Sequence, residues 1–112
     1  MPVKSDEYNG VCVLAVDGDL TADAGAEVKR MAGERMEQRH VVDFVVDLER
    51  TPFVDSCGLE ALLWLRRRCI ERLGRVKLAG LDDNCRTILE ITRLVHRFEC
   101  CKDVPAALKM MR

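Results

Sequence analysis

The stretch Asp55-Ser56-Cys57-Gly58-Leu59 decides the reading of this chain, because it stands where an apolar β-run gives out and an amphipathic helix begins. On its N-terminal side lie Val45-Val46-Asp47-Leu48 and Thr51-Pro52-Phe53-Val54; on its C-terminal side lies Leu59-Glu60-Ala61-Leu62-Leu63. The order is strand, short loop, helix N-terminus. Such a terminus has amides without intrahelical partners and carries partial positive charge, so it suits a capping oxygen or an added phosphate. Asp55 and Ser56 are the candidate caps. Gly58, lacking a side chain, is expected to let a partner's backbone approach, so that Gly58→Arg would abolish binding and leave the fold intact.

Working outward, residues 11–16 form an unbroken apolar run that predicts a strand buried on both faces. Asn9-Gly10 ahead of it is a hairpin signal, which makes 3–8 an edge strand. Thr21 is placed to cap a helix bearing Val28, Met31, Ala32 and Met36 at helical spacing, a helix weakened by Gly25 and Gly33. A strand over 41–48 leads into the central loop. The second helix is expected over 57–73, with Leu59, Leu62, Leu63, Ile70 and Leu73 on its apolar side and Gly74 ending it. A short strand over 76–79 stops at Gly80, and Asp82, Asp83 or Asn84 caps a third helix carrying Ile88, Leu89, Ile91 and Leu94. Residues 97–101 read as a brief last strand. Asp103 then caps a terminal helix with Pro105 in its first turn and 106–111 as its body. Alternating strands and helices predict an α/β fold with right-handed crossovers.

These segments carry a resemblance to the STAS domain, the fold of bacterial anti-sigma factor antagonists. The family's loop reads Asp-Ser-Ser/Thr-Gly-Leu, its Gly-Glu-Leu turn is similar to Gly18-Asp19-Leu20, its Asp-Leu strand end to Asp47-Leu48, and its Leu-x-x-x-Gly-Leu helix end approximately to Leu89-Glu90-Ile91-Thr92-Arg93-Leu94. The resemblance implies one STAS domain over 1–112, with a mixed sheet of four to five strands and about four helices. It implies a non-enzymatic function: docking an anti-sigma factor or a histidine-kinase-like serine kinase through Asp55, Ser56, Cys57, Gly58 and Leu59, and so regulating sigma-factor-dependent transcription. A soluble STAS subunit of a lipid-transport ABC system is the alternative.

Two positions depart from the family pattern. Thr21 replaces an acidic residue, and Cys57 stands where the family has the hydroxyl that a partner kinase phosphorylates. Cys57 is open to three readings: a silent replacement that abolishes the switch, a shift of phosphorylation to Ser56, or a redox-sensitive thiol at a helix N-terminus. A nucleophilic enzyme would need a base and an orienting group, which neither His40 nor His96 is placed to supply.

Composition excludes other classes. The chain has 112 residues, 48% hydrophobic and 33% charged, as expected of one globular domain. Its 18 basic and 19 acidic residues give a net charge of −1, which provides no global pull toward nucleic acid or membrane. The basic cluster Arg66-Arg67-Arg68 with Arg72, Arg75 and Lys77 is expected to be a solvated helix face, without direct nucleic-acid binding. No apolar run is long enough for a membrane span, and 1–7 is too polar for a signal peptide, so a cytoplasmic location is expected. The six cysteines are then expected to be free thiols, with one of Cys100-Cys101 in the core and the other outward. With no Cys-x-x-Cys pair and no ligand spacing at the histidines, neither a metal nor a cofactor is expected. Trp64 is either core or, if exposed on the second helix, an interface anchor.

Overall fold

The computed structural model describes residues 2–111. Its elements are β1 (Val3–Tyr8), β2 (Val11–Asp17), α1 (Ala22–Arg39), β3 (Asp43–Arg50), α2 (Ser56–Glu71), β4 (Val76–Ala79), α3 (Asp83–Ile91), β5 (Glu99–Cys101) and α4 (Val104–Met110). The five strands lie in sequence order in one sheet. β1 and β2 form an antiparallel hairpin, and every later neighbour is parallel. The hairpin turn is Asn9-Gly10, both at positive φ (50° and 83°), as a two-residue turn between twisted strands requires.

The apolar run in β2 and its continuation in β3 reflect a sheet covered on both sides. Cys12, Leu14, Val16, Phe44, Val46 and Leu48 turn into the main core, where α1, α2 and α3 close over them. Val11, Val13 and Val45 turn the other way, into a smaller core closed by Ala107 and Met111.

That second core corrects the expectation for the adjacent cysteines. Cys101 is buried within it, while Cys100 packs against the main core, so neither simply faces solvent. The last strand is also shorter than 97–101, because Val95–Arg97 form a 3-10 turn that Phe98 closes, its amide donating back to the Val95 carbonyl, so β5 begins at Glu99. β3 begins and ends two residues later than the 41–48 expected.

α2 ends at Glu71, and Ile70 and Leu73 do not join its apolar face: they are 51% and 95% exposed. Leu73 itself takes the left-handed conformation, φ 60°, and the Gly74 amide closes the helix on the Cys69 carbonyl at 2.7 Å. Gly74 thus helps end α2 as expected, and it also meets a second need. A Cβ there would stand 2.6 Å from the Val42 carbonyl carbon, so only glycine lets α2 return beside β3.

Candidate functional site

Loop 55–59 sits on a platform assembled from three parts of the chain. The Leu20 amide donates to the Phe53 carbonyl at 2.9 Å, and the Leu20 carbonyl accepts from the Asp55 amide at 3.2 Å, giving an isolated parallel bridge between Leu20 and Val54. Just upstream, buried Thr51 donates from Oγ1 to the Val16 carbonyl at 3.1 Å. From the other side, the start of α3 clamps the same segment: Cys85 Sγ donates to the Thr51 carbonyl at 2.9 Å, and Asn84 Nδ2 to the Pro52 carbonyl at 2.7 Å. The approach to α2 is thus held at both margins by hydrogen bonds to distant segments.

Asp55 is the N-cap of α2. Its Oδ1 accepts from the Gly58 amide at 2.9 Å, and its carbonyl accepts from the Leu59 amide at 2.9 Å. Asp82 and Asp103 cap α3 and α4 in the same way. Thr21 holds the expected N-cap position of α1, but its side chain makes no capping bond. Because Asp55 does the capping, Ser56 is not needed for it, and both Ser56 and Cys57 are exposed in the first turn of α2.

The other two residues of the loop point inward. Leu59 is half-buried against the main core. Gly58 is buried, and a Cβ built on it would lie 2.9 Å from both the carbonyl carbon and Cγ of Leu20, and closer still to the Leu20 carbonyl oxygen. The expectation that Gly58 makes room for a partner is therefore corrected: the backbone it admits is the chain's own, 38 residues upstream. Gly25 plays a milder part on α1, where a Cβ would meet Ala61 Cβ at 3.3 Å and the Cys57 carbonyl oxygen at 3.4 Å, so α1 and α2 run close together here.

The flank of the loop holds a residue that its reading as strand approach overlooked. Phe53 is 44% exposed although its carbonyl is tied to Leu20. An aromatic side chain between Pro52 and the capping aspartate was the available signal. The segments that meet at this end also bring carboxylates to the surface: Asp19 in the turn before α1, Asp23 in the first turn of α1, and Asp82 and Asp83 at the start of α3.

The remaining cysteines are set apart from Cys57 by burial. Desolvation pushes the Cys12 thiol up to about 11 and those of Cys69 and Cys85 to about 12, and it also raises Cys100 and Cys101. Among the six, only Cys57 is exposed.

The basic cluster is only partly a solvated face. Arg66 Nε donates to the Arg97 carbonyl at 2.7 Å, Arg75 Nη2 donates to the Met111 carbonyl at 3.1 Å, and Arg68 lies over the Trp64 ring, 5.1 Å from its centroid. Lys77 is buried and paired with Glu99, contrary to its inclusion in an exposed patch. Trp64 is half-buried at the rim of the main core. Among the described residues no group of three or more His, Cys, Asp or Glu side chains could hold a metal ion, and no helix is long and apolar enough to cross a membrane.

A five-stranded mixed sheet carrying four helices, with an aspartate-capped loop at the start of α2, is the arrangement of a STAS domain. The family model for the STAS domain matches residues 3–107, and the chain belongs to that family. Solved structures agree on the fold. A candidate anti-sigma factor antagonist from Thermotoga maritima superposes with a TM-score of 0.88 at 13% identity, over 96% of this chain and 92% of that one. The Bacillus cell fate determinant SpoIIAA, in its phosphorylated form, gives a TM-score of 0.79 at 19% identity, over 98% and 99% of the two chains. A sulfate transporter family protein from Wolinella succinogenes gives 0.80 at 18% identity, over 94% and 87%. No curated protein matches the chain.

Proposed function

We propose that residues 1–112 act as one non-catalytic STAS binding module, an anti-sigma factor antagonist that docks an anti-sigma factor or a histidine-kinase-like serine kinase in the cytoplasm. Capture of the anti-sigma factor then frees a sigma factor for transcription. The observation that carries this reading is the exposure of Ser56 and Cys57 on a helix start pinned by Leu20, Thr51 and α3. Phe53 adds an apolar contact beside them, and the surrounding carboxylates favour a partner face rich in Lys and Arg. With Cys57 in place of the hydroxyl, the module binds without the inactivating phosphorylation, since a serine kinase is built to position an alcohol for in-line transfer.

The Wolinella likeness supports a second reading, a STAS subunit of a transport assembly such as a lipid-transport ABC system. A third reading, in which the Cys57 thiol is oxidised as a signal, uses the same exposed position. One binding experiment tests the first reading. Recombinant chain is titrated against the anti-sigma kinases of its own genome, with Ser56→Arg and Cys57→Arg as interface variants. Both side chains are exposed, so the variants should melt with the wild type while binding falls at least tenfold. Undiminished binding by both would move the interface elsewhere, and binding only to a permease-associated ATPase would favour the transport reading.

A further inference from the structure

The two edges of the sheet are unequal. β5 offers three residues, whereas β1 offers six, with α1 packed on one face of it and, among the described residues, no strand beyond it. The direction of its free groups follows from the hairpin. The Pro2 carbonyl accepts from the Asp17 amide at 2.7 Å, and the register pairs Lys4 with Ala15, Asp6 with Val13 and Tyr8 with Val11. Even-numbered residues therefore direct their main-chain groups at β2, and the amides and carbonyls of Val3, Ser5 and Glu7 point away from the sheet. On the α1 side, Arg35 Nη2 donates to Ser5 Oγ at 2.9 Å, and Arg35 and Arg39 both pair with Glu7 at 3.0 Å. On the opposite face Lys4, Asp6 and Tyr8 are exposed.

We propose that this edge is a self-association surface, on which β1 of a second copy pairs antiparallel about a two-fold axis through Ser5. That register sets Ser5 against Ser5 and Val3 against Glu7, so all three outward residues of each strand find main-chain partners. It also sets Lys4 of each copy directly across from Asp6 of the other, on the exposed face. The charge pattern selects this register over its neighbours. Sliding by one step of the ladder in one direction sets Lys4 against Lys4, and in the other direction Asp6 against Asp6. Like charges directly opposite are destabilising, and opposite charges stabilise. Charged residues usually guard an edge against pairing. Here the guard has one self-complementary exception. The result is a ten-stranded sheet with both α1 helices on the same side and the two 55–59 loops left free.

An edge of six residues is smaller than the roughly 1,200 Å² of a standard stable interface, so the dimer is a reversible one. Sedimentation velocity over a concentration range on the order of 10 µM to 1 mM should give a wild-type coefficient that climbs toward the dimer value. Lys4→Asp and Asp6→Lys should each remain monomeric across that range, and the double exchange Lys4→Asp with Asp6→Lys should dimerise again. Both side chains are exposed and the β1–β2 ladder uses only main-chain atoms, so thermal melts at the dilute end should match the wild type. Three results overturn the proposal: a wild type monomeric throughout, single variants that associate as the wild type does, or a double exchange that stays monomeric.

Discussion

Gly58→Ala is the sharpest test of how the candidate site is built, because two contributions of opposite sign compete at that position. In an isolated helix the change should help, by about 1 kcal/mol of helix propensity. Here the new methyl would stand 2.9 Å from Leu20 C and Cγ and nearer to its carbonyl oxygen, all parts of a fully buried residue. Neither partner is the free end of a flexible side chain, so α2 or the 18–20 turn must move. Such a movement strains the 2.9 Å and 3.2 Å bonds that tie Leu20 to Phe53 and Asp55, each worth about 1 kcal/mol. Forcing a methyl into a packed core costs a further 1–3 kcal/mol or so. The net loss is about 2–4 kcal/mol, a large share of the roughly 5–15 kcal/mol that holds a domain of this size. Tm should drop on the order of 10 °C or more. Gly33→Ala, in the body of α1 with nothing within 4 Å of its Cβ, is the matched control and should raise stability by about 0.5–1 kcal/mol. Urea and thermal melts of the pair decide the matter. A Gly58→Ala variant that melts within a degree of the wild type would refute the close-approach argument and restore Gly58 as a surface residue.

If the proposed function holds, incubation with ATP and the anti-sigma kinase that binds the chain should leave the wild type without phosphate, while Cys57→Ser should take it up on the introduced serine; stoichiometric phosphate on Ser56 of the wild type would place a regulated switch one residue upstream. In alkylation at pH 8 Cys57 should react first, since thiols near 11 and 12 leave thiolate fractions on the order of 10⁻³ to 10⁻⁴ at Cys12, Cys69 and Cys85; labelling of those three at the Cys57 rate in native protein would contradict their burial. Asp55→Ala and Asp82→Ala each remove a helix cap and should each cost about 1 kcal/mol in urea melts. Hydrogen bonding by Arg39 above all, and by Arg35, holds the Glu7 carboxyl below its ordinary 4.5, so the stability it contributes is present above 4.5 and lost as pH falls through the lowered value. Glu7→Gln should flatten the acid limb of the stability curve, and an unchanged limb would show that other carboxylates set it.

Most of the fold was legible because it is written locally. The hairpin at Asn9-Gly10, the buried run of β2 and the capping aspartates before α2, α3 and α4 each depend on residues a few positions apart. What was not legible depends on distant parts of the chain meeting. The burial of Gly58 comes from Leu20, and the need for Gly74 comes from Val42, neither of which has a sequence period to signal it. Ile70 and Leu73 keep the apolar rhythm of α2, yet the helix ends at Glu71 beyond the edge of the core, so rhythm alone assigns them to the wrong environment. Cys100-Cys101 looked like an in-and-out pair because strand alternation does not say whether the second face is covered. Here α4 covers it, and Cys101 is buried there.

The five residues of the loop divide their work between the two sides of one backbone. Asp55, Gly58 and Leu59 face the protein: one caps the helix, one admits Leu20, one packs on the core. Ser56 and Cys57 face solvent, and neither supplies the capping bond. Substitution at the two classes therefore has separable consequences. A change at 55, 58 or 59 acts first on stability, and on binding only through the displaced platform. A change at 56 or 57 alters the chemistry exposed at the helix start while the platform stays in place, which is how cysteine can stand at 57 without disturbing the fold. The same division explains why Gly58, whose missing side chain suggests contact in the sequence, is the poorest probe of the proposed interface. Any loss of binding in a Gly58 variant would report a moved helix, whereas a loss in Cys57→Arg at unchanged Tm would report the surface itself.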